Sequence, residues 1–290
     1  MKKLVVFAFI GALLLTSFGC ADKNAVALDT QENPENPKSA VDYYNDALAY
    51  EKSGDYENAI AYYNMAIAID PNYTSAYNNR GIVYEELNNK EAAIADYNKA
   101  IELDPNFAIV YNNRGNAYLD AKDYKKALAD FNKAIEIDPN YALAYSNRGD
   151  ANAKSKNYNK AIADYNKAIK IDQNYLKAYN NRANAYADLR DYKKALADYG
   201  KAIKIDPNYA YAYNNRGLVY KELRDYKKAL ADFNKAIEID PNYALAYSNR
   251  GDAFGATGDL KNAAKDAKKA CDLGVCALFN FMQRKGFLQD

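Results

Sequence analysis

Seven asparagines recur at intervals of 34 residues, and their side chains are the ones best suited to bind another molecule. A carboxamide offers two N–H donors and one oxygen acceptor, so it can pair with the main chain of any polypeptide. Asparagine is a mediocre helix former, so its regular use inside a helical pattern calls for a reason. Two reasons stay open: the amides grip an extended peptide, or each one hydrogen-bonds to the neighbouring repeat. The residues are Asn45, Asn79, Asn113, Asn147, Asn181, Asn215 and Asn249.

An arginine follows each of the last six asparagines, and an aspartate stands 16 residues after each arginine. The first repeat has Asp46 and Tyr62 at these two places, so the base and the acid are present or absent together. We therefore predict a partly desolvated, bidentate ion pair within each repeat, which fixes helix register and is not an anion site. The predicted pairs are Arg80–Asp96, Arg114–Asp130, Arg148–Asp164, Arg182–Asp198, Arg216–Asp232 and Arg250–Asp266.

Side chains for catalysis or metal binding are scarce. The chain has no histidine, which removes the commonest general base and the commonest metal ligand. No nucleophile–base pair, metal-ligand cluster or glycine-rich phosphate loop is recognisable. The 39 basic and 38 acidic residues are nearly balanced, unlike the basic excess of a nucleic-acid-binding domain. We expect a non-catalytic protein without a cofactor or a nucleic-acid partner.

These residues are carried by a 34-residue repeat that begins at Ala40. Its clearest marker is Asp-Pro-Asn, with Gln173 in place of the proline in one copy. A period of this length indicates small units that bury their apolar faces only by stacking on each other. The seven repeats are 40–73, 74–107, 108–141, 142–175, 176–209, 210–243 and a divergent 244–277.

Each repeat has the pattern of two short helices. In 108–141, Tyr111, Gly115 and Tyr118 recur at helical spacing in the first half, and Ala127 and Phe131 do so in the second. The Asp-Pro-Asn turn then ends the second helix, because proline cannot continue it. The same spacing assigns most of the 29 tyrosines to the core.

This order of residues (an aromatic, then glycine, tyrosine, alanine, an aromatic and proline) resembles the tetratricopeptide repeat over 40–277. The resemblance implies an all-α fold, a right-handed superhelical α-solenoid of helix-turn-helix repeats. Its concave groove would be lined by first helices and its convex back by second helices. In that family the position of the seven asparagines faces the groove, and in some members it holds an extended peptide. Asn152 and Gln173 depart from the pattern, so 142–175 is expected to be the most loosely packed repeat.

The N-terminus predicts export. Lys2 and Lys3 precede an apolar or small stretch over 4–15, and small residues follow at cleavage spacing, so 1–19 is a predicted signal peptide. Cys20 comes directly after it, which resembles the lipobox of bacterial lipoproteins and implies lipidation of Cys20. Plain secretion is the alternative. Residues 20–39 combine this lipid-anchor cysteine with a polar, flexible tether.

Lipidation of Cys20 would leave Cys271 and Cys276 as a possible disulfide, since three cysteines are an odd count for an exported chain. The pair resembles those of exported Sel1-like repeat proteins, and two reduced, buried cysteines are the alternative. Leu278, Phe281 and Met282 lie on one apolar stripe. We therefore expect 278–290 to be a capping helix and tail for the open end of the stack.

The expected function is a protein-interaction scaffold in the bacterial periplasm or anchored at the outer membrane. It would bind a protein or peptide in a polar, mildly acidic groove, where neighbours of the asparagines such as Asn116, Asp150 and Asn184 vary. The alternative is a structural lipoprotein for assembly of pilus or outer-membrane components, acting through its lysine-bearing convex face or by self-association.

Overall fold

Residues 37–287 are described by a computed structural model, and they form 15 α-helices and no strand. The predicted all-α class is confirmed over this range. Ser39–Asp290 clusters as one compact unit. The predicted signal peptide, Cys20 and most of the tether lie outside the described residues. Between residues 37 and 287, no helix combines the length and apolar character needed to cross a bilayer.

Fourteen of the helices form seven antiparallel pairs, one pair in each repeat. The first helices are α1 Ala40–Ser53, α3 Thr74–Glu86, α5 Ala108–Asp120, α7 Ala142–Lys154, α9 Leu176–Asp188, α11 Ala210–Glu222 and α13 Ala244–Ala256. The second helices are α2 Tyr56–Ile69, α4 Lys90–Leu103, α6 Tyr124–Ile137, α8 Tyr158–Ile171, α10 Tyr192–Ile205, α12 Tyr226–Ile239 and α14 Leu260–Asp272. The last helix, α15, spans Ala277–Arg284. Positions within a repeat are counted from its first residue, so the seven asparagines are at position 6.

The pairs stack in chain order, because each second helix packs against the first helix of the next repeat. First helices also contact the first helices of the adjacent repeats from α3 to α13. In residues 37–287, extensive contact between a helix and the helix two places along the chain is made only by first helices and α15. The helices concerned are α3, α5, α7, α9, α11, α13 and α15. The first helices therefore form the closely spaced inner face of the stack, and the second helices form its outer face.

Two short turns set the geometry of each repeat. Between the paired helices, position 15 adopts a left-handed conformation, with φ of 61° at Lys122 and 86° at Gly258. Between repeats, an aspartate accepts a hydrogen bond from the backbone two residues on, as Asp138 does from Asn140 N at 2.9 Å. The same bond joins Asp172 to Asn174 at 2.9 Å. The turn is therefore kept where Gln173 replaces proline.

An aromatic ring at position 24 fills the centre of a repeat. In the third repeat the fully buried Phe131 lies against Gly115, where an added Cβ would stand 2.6 Å from Phe131 Cε1. With the ring in this position, glycine is the residue that fits the first helix. Burying one such ring stabilises the fold by roughly 2–3 kcal/mol.

The repeat at 142–175 closes in the same way. Its Tyr165 is 1% exposed, and Asn152 is buried with Nδ2 donating to Asp164 Oδ2 at 3.0 Å. The asparagine therefore replaces an aromatic contact with a hydrogen bond to the ion pair.

Candidate peptide-binding groove

The asparagines at position 6 lie on the inner face, where successive first helices meet. Apart from the exposed Asn45, each donates from Nδ2 to a side chain of the preceding repeat, and we call this row of bonds the amide ladder. The donors and acceptors are Asn79 to Tyr44 Oη (2.9 Å), Asn113 to Asn78 Oδ1 (3.0 Å), Asn147 to Asn112 Oδ1 (2.9 Å), Asn181 to Asp150 Oδ1 (2.8 Å), Asn215 to Asn184 Oδ1 (3.2 Å) and Asn249 to Asn214 Oδ1 (2.9 Å).

The ladder uses acceptors at two different positions. At the first three junctions and at the last one the acceptor is at position 5, but at the two junctions after the fourth and fifth repeats it is at position 9. Ser146 stands at position 5 of the fourth repeat, and its side chain is shorter than an amide, so Asn181 bonds to Asp150. In the fifth repeat Asn180 is available, yet Asn215 bonds to Asn184 and the buried Asn180 Oδ1 has no partner. The fifth junction therefore contains two acceptors for one amide.

The ladder amides keep part of their hydrogen-bonding capacity. Asn79, for example, also accepts from Asn78 Nδ2 at 2.8 Å, and Asn181 accepts from Asn180 Nδ2 at 3.0 Å. A carboxamide with one bond given and one accepted still has one N–H and one oxygen lone pair. The hydrogen bond to the neighbouring repeat, one of the two reasons left open by the sequence, is thus present. The peptide-binding role remains a prediction.

Position 9 contributes residues that the sequence marked only as variable. Asp150 Oδ1 accepts from Tyr165 Oη at 2.7 Å as well as from Asn181, and Asp150 Oδ2 lies 3.3 Å from Lys177 Nζ. Asn184 Oδ1 likewise accepts from Tyr199 Oη at 2.5 Å. The signal in the sequence is a tyrosine at position 24 together with a polar residue at position 9, because the buried hydroxyl needs an acceptor. Where position 9 is apolar, as in the second repeat, the hydroxyl of Tyr97 donates to Glu85 at position 12 (2.7 Å).

The arginine at position 7 joins the two helices of its own repeat. Arg114 Nε and Nη2 donate to the two carboxylate oxygens of Asp130 at 2.8 and 2.7 Å, and Asp130 is 6% exposed. The guanidinium also stacks on Tyr111, 5.6 Å from the ring centroid. Equivalent bonds are made by Arg80–Asp96, Arg148–Asp164, Arg182–Asp198, Arg216–Asp232 and Arg250–Asp266. With both carboxylate oxygens bound to the guanidinium, each pair serves as a structural contact between helices.

A third arginine contact ties adjacent repeats together. Arg114 Nη1 donates to Asn98 Oδ1 at 2.6 Å, and Asn98 belongs to the preceding repeat at position 25. The same contact is made by Arg80 with Asn64, Arg148 with Asn132, Arg182 with Asn166 and Arg250 with Asn234. Arg216 is the exception, since position 25 of the preceding repeat is Gly200 and offers no side chain.

The walls of the groove are polar and rich in acids. A cavity of about 570 Å³ on the inner face is lined by acids and two lysines, together with Asn147 of the ladder. Its charged residues are Glu85, Glu86, Asp120, Asp150, Lys154 and Lys177. Burial raises the pKa of the Glu85 carboxyl, and partial desolvation raises the pKa of Asp188, which stays accessible in a second cavity around Asn215. Ligand charges that compensate these carboxylates would lower the cost of their burial.

The end of the stack is closed by α15. Cys271 and Cys276 form a disulfide that spans the turn between α14 and α15. Ala267 stands where other repeats have a ring, and Leu278 of α15 takes up the space, with Cδ2 2.7 Å from a Cβ added to Gly251. Phe281, expected on the same apolar stripe as Leu278, is instead 46% exposed on the outer side of α15. Within residues 37–287, no group of three or more acidic, histidine or cysteine side chains is placed to hold a metal ion.

Most of the sequence matches models of one repeat family. The model described as "Tetratricopeptide repeat" matches residues 74–107, 108–141, 142–175, 176–209 and 210–243. A second model, described as "TPR repeat", matches residues 47–88. A comparison of the sequence with curated proteins gives no match.

Several solved structures share the fold. A tetratricopeptide repeat protein from Parabacteroides merdae superimposes with a TM-score of 0.69 at 20% identity, covering 86% of this chain and 99% of its own. PilF of Pseudomonas aeruginosa gives a TM-score of 0.64 at 20% identity, with coverage of 75% and 97%. YrrB, described as a TPR protein with an unusual peptide-binding site, gives 0.50 at 28% identity, with coverage of 63% and 95%. The first two similarities concern the fold alone.

Proposed function

This chain belongs to the tetratricopeptide repeat family, and we propose that it is a non-catalytic scaffold that binds an extended segment of another protein in the groove of its first helices. Tetratricopeptide repeats are in general a protein-interaction fold. The proposal specifies which face of the solenoid is used and what kind of ligand it takes.

The amide ladder is the observation that carries this proposal. It places amides with remaining donors and acceptors at regular intervals along one face, which suits the regular N–H and C=O groups of an extended main chain. Position 9 and the groove acids differ from repeat to repeat, so they supply sequence preference. The similarity to YrrB, a peptide-binding member of the family, supports the same interpretation.

Photo-crosslinking tests which face is used. The ladder asparagines themselves are unsuitable sites, because each one also joins two repeats. Asp188 lines the groove beside Asn215 and is exposed, so a photoreactive residue can replace it without removing a ladder bond. Lys227, exposed on the outer face of α12, is the matched control.

A discrete protein adduct from Asp188 and none from Lys227, in intact cells, is the expected result. It would also identify the ligand. Adducts from Lys227 alone would overturn groove binding and favour an assembly role for the convex face.

We further propose that the mature protein is a lipoprotein of a bacterial envelope, held by Cys20 through the tether 20–39. The leader and the adjacent cysteine in the sequence support this location. Metabolic labelling with a clickable fatty acid should mark the wild-type chain and leave Cys20→Ser unlabelled. A wild-type chain that is exported without label would show plain secretion.

A further inference from the structure

The outer face of the central repeats differs from that of its neighbours in one respect. At positions 26 and 29, most second helices carry a lysine and an acid one turn apart. In α4, α6 and α12 these form the pairs Lys99–Glu102 (2.8 Å), Lys133–Glu136 (2.8 Å) and Lys235–Glu238 (2.6 Å). In α8 and α10 both positions are lysine, which gives Lys167, Lys170, Lys201 and Lys204. We call these four residues the outer lysine patch.

Within residues 37–287, no acid forms an ion pair with a patch lysine as glutamate does in α4, α6 and α12. Lys99, Lys133 and Lys235 are half-buried, whereas all four patch lysines are exposed. The acids within α8 and α10, Asp164 and Asp198, are buried in bidentate contact with arginines of α7 and α9. The remaining nearby carboxylates, Asp172 and Asp206, accept backbone hydrogen bonds in the turns at the ends of these helices.

The type of residue indicates what the patch binds. Lysine ammoniums are compact, mobile point charges, and they lack the rigid fork with which arginine recognises a single phosphate or carboxylate. Four of them on two neighbouring helices suit a surface of many mobile anions better than one defined group. Lys201 and Lys204 also border a shallow cavity of about 650 Å³ that Tyr179 and Ile205 help to line. Lysines beside apolar and aromatic groups match the mixed chemistry of lipid headgroups.

We propose that the outer lysine patch is a docking surface for an anionic lipid bilayer. The occupant is chosen by charge complementarity, and a bilayer is the surface to which the leader and Cys20 would bring the chain. Docking by the outer face leaves the groove open to its ligand. The inference does not depend on what the groove binds, and it is tested without the lipid anchor.

Flotation with vesicles tests the proposal. Residues 39–290, the compact unit of the chain, are mixed with vesicles of phosphatidylcholine alone or with 30% phosphatidylglycerol (about a third of the lipid, enough for a negative surface potential). The test variant is Lys170→Glu with Lys204→Glu, which copies the natural Glu136 and Glu238 and so preserves the fold. The control is Lys125→Glu with Lys227→Glu, two exposed lysines of α6 and α12, which changes the net charge equally.

The wild type is expected to float only with the anionic vesicles and to be released by salt. The test variant should bind at least about 25-fold more weakly, since each lysine near an anionic surface contributes about five-fold and the new glutamates are repelled. The control should lose much less, and Glu136→Lys with Glu238→Lys should gain. Equal losses in test and control, or equal binding to neutral vesicles, would overturn the proposal. Retention on heparin without flotation would overturn it too and indicate a soluble polyanion. Circular dichroism melts confirm that each variant is folded.

Discussion

Residues 123–151 and 225–253 are identical over 29 positions, yet the two copies have different surroundings. Each copy consists of a second helix, a turn and most of the next first helix. The first copy is followed by the central repeats, and the second by the end of the stack.

The same residue makes different contacts in each copy. Asp150 accepts hydrogen bonds from Tyr165 and Asn181 and lies beside Lys177, whereas its counterpart Asp252 is exposed and lies 3.4 Å from Lys221. Gly149 is covered by the ring of Tyr165, and its counterpart Gly251 by Leu278 of α15.

The two copies share the asparagine contact with the repeat before them and differ mainly in their contacts with the helices after them. Asn147 and Asn249 both donate backward to position 5 of the preceding repeat, each at 2.9 Å. The partners of Asp150 and the groups that cover the two glycines come from helices later in the chain. Lys221, which lies beside Asp252, comes from the first helix of the preceding repeat. Groove chemistry in this solenoid is therefore a property of the junction between repeats, and no single repeat encodes it.

The largest expected effect is on the free energy of unfolding, when a central ion pair is removed and compared with a terminal one. Asp164→Ala leaves Arg148 without its carboxylate and removes the acceptor of Asn152, so the free energy of unfolding should fall by about 3 kcal/mol. Asp266→Ala breaks the matching pair of the last repeat, which can open locally, so the global loss should be smaller. Urea unfolding followed by circular dichroism measures both. Equal losses would mean that the end is as cooperative as the centre.

Replacing Gly149 or Gly251 with alanine tests whether the side chain packed over each glycine sets the cost of an added methyl group. In Gly149→Ala the new methyl meets the Tyr165 ring at 2.6 Å, which should cost about 1–2 kcal/mol of stability. In Gly251→Ala the nearest atom is Leu278 Cδ2 at 2.7 Å, the end of a flexible side chain, and Ala263 O and Asp266 Cβ follow at 3.3 Å, so the cost should be lower. Ala183 in the fifth repeat shows that the ring can be placed to admit a methyl. A larger loss at Gly251 in thermal unfolding would contradict this explanation.

Arg216 lacks the contact with an asparagine at position 25 that Arg148 and Arg250 make within the duplicated segments. Restoring it should make the junction between the fifth and sixth repeats resemble the junctions in those segments. Gly200→Asn offers Arg216 the acceptor found at the other junctions, in a place where an added Cβ meets no atom within 4 Å. We expect a gain of about 1 kcal/mol from the hydrogen bond and better helix propensity. Repeating the substitution beside Arg216→Lys, which lacks Nη1, isolates the hydrogen bond. An unchanged gain there would show that propensity alone is responsible.

The smallest effect comes from giving the fifth repeat the residues of the sixth. Asn184→Leu with Tyr199→Phe copies Leu218 and Phe233, so Asn215 should move to the vacant Asn180 Oδ1 with stability nearly unchanged. Asn184→Leu alone leaves the Tyr199 hydroxyl without its acceptor and should cost about 1–2 kcal/mol. A crystal structure of the double variant would show the new bond. A double variant less stable than the single one would exclude the switch.

Periodicity was enough to predict the helix pairs and their stacking, because a 34-residue unit has few ways to bury its apolar face. The pairing of Arg114 with Asp130 can be read in the same way, since the first repeat lacks both residues. The acceptor of each ladder asparagine could not be read. The acceptor depends on the side-chain length at position 5, as at Ser146. It also depends on whether the tyrosine at position 24 donates its hydroxyl hydrogen to the residue at position 9.

The role of position 9 was missed for a related reason. Asp150 and Asp252 are the same residue in the same local sequence, so no local pattern distinguishes them. Most of their partners come from other repeats. The outer lysine patch likewise stands out only when second helices are compared across repeats.

The long-range side-chain hydrogen bonds between repeats join residues 16, 31 or 35 positions apart, as in Arg114–Asn98, Asn181–Asp150 and Asn147–Asn112. None of these bonds links the two ends of the stack. Under tension the molecule would therefore behave as springs in series, in which each unit carries the full load and gives way separately. Extension would proceed in steps of one repeat, and on release each step could reverse from the folded neighbour that remained.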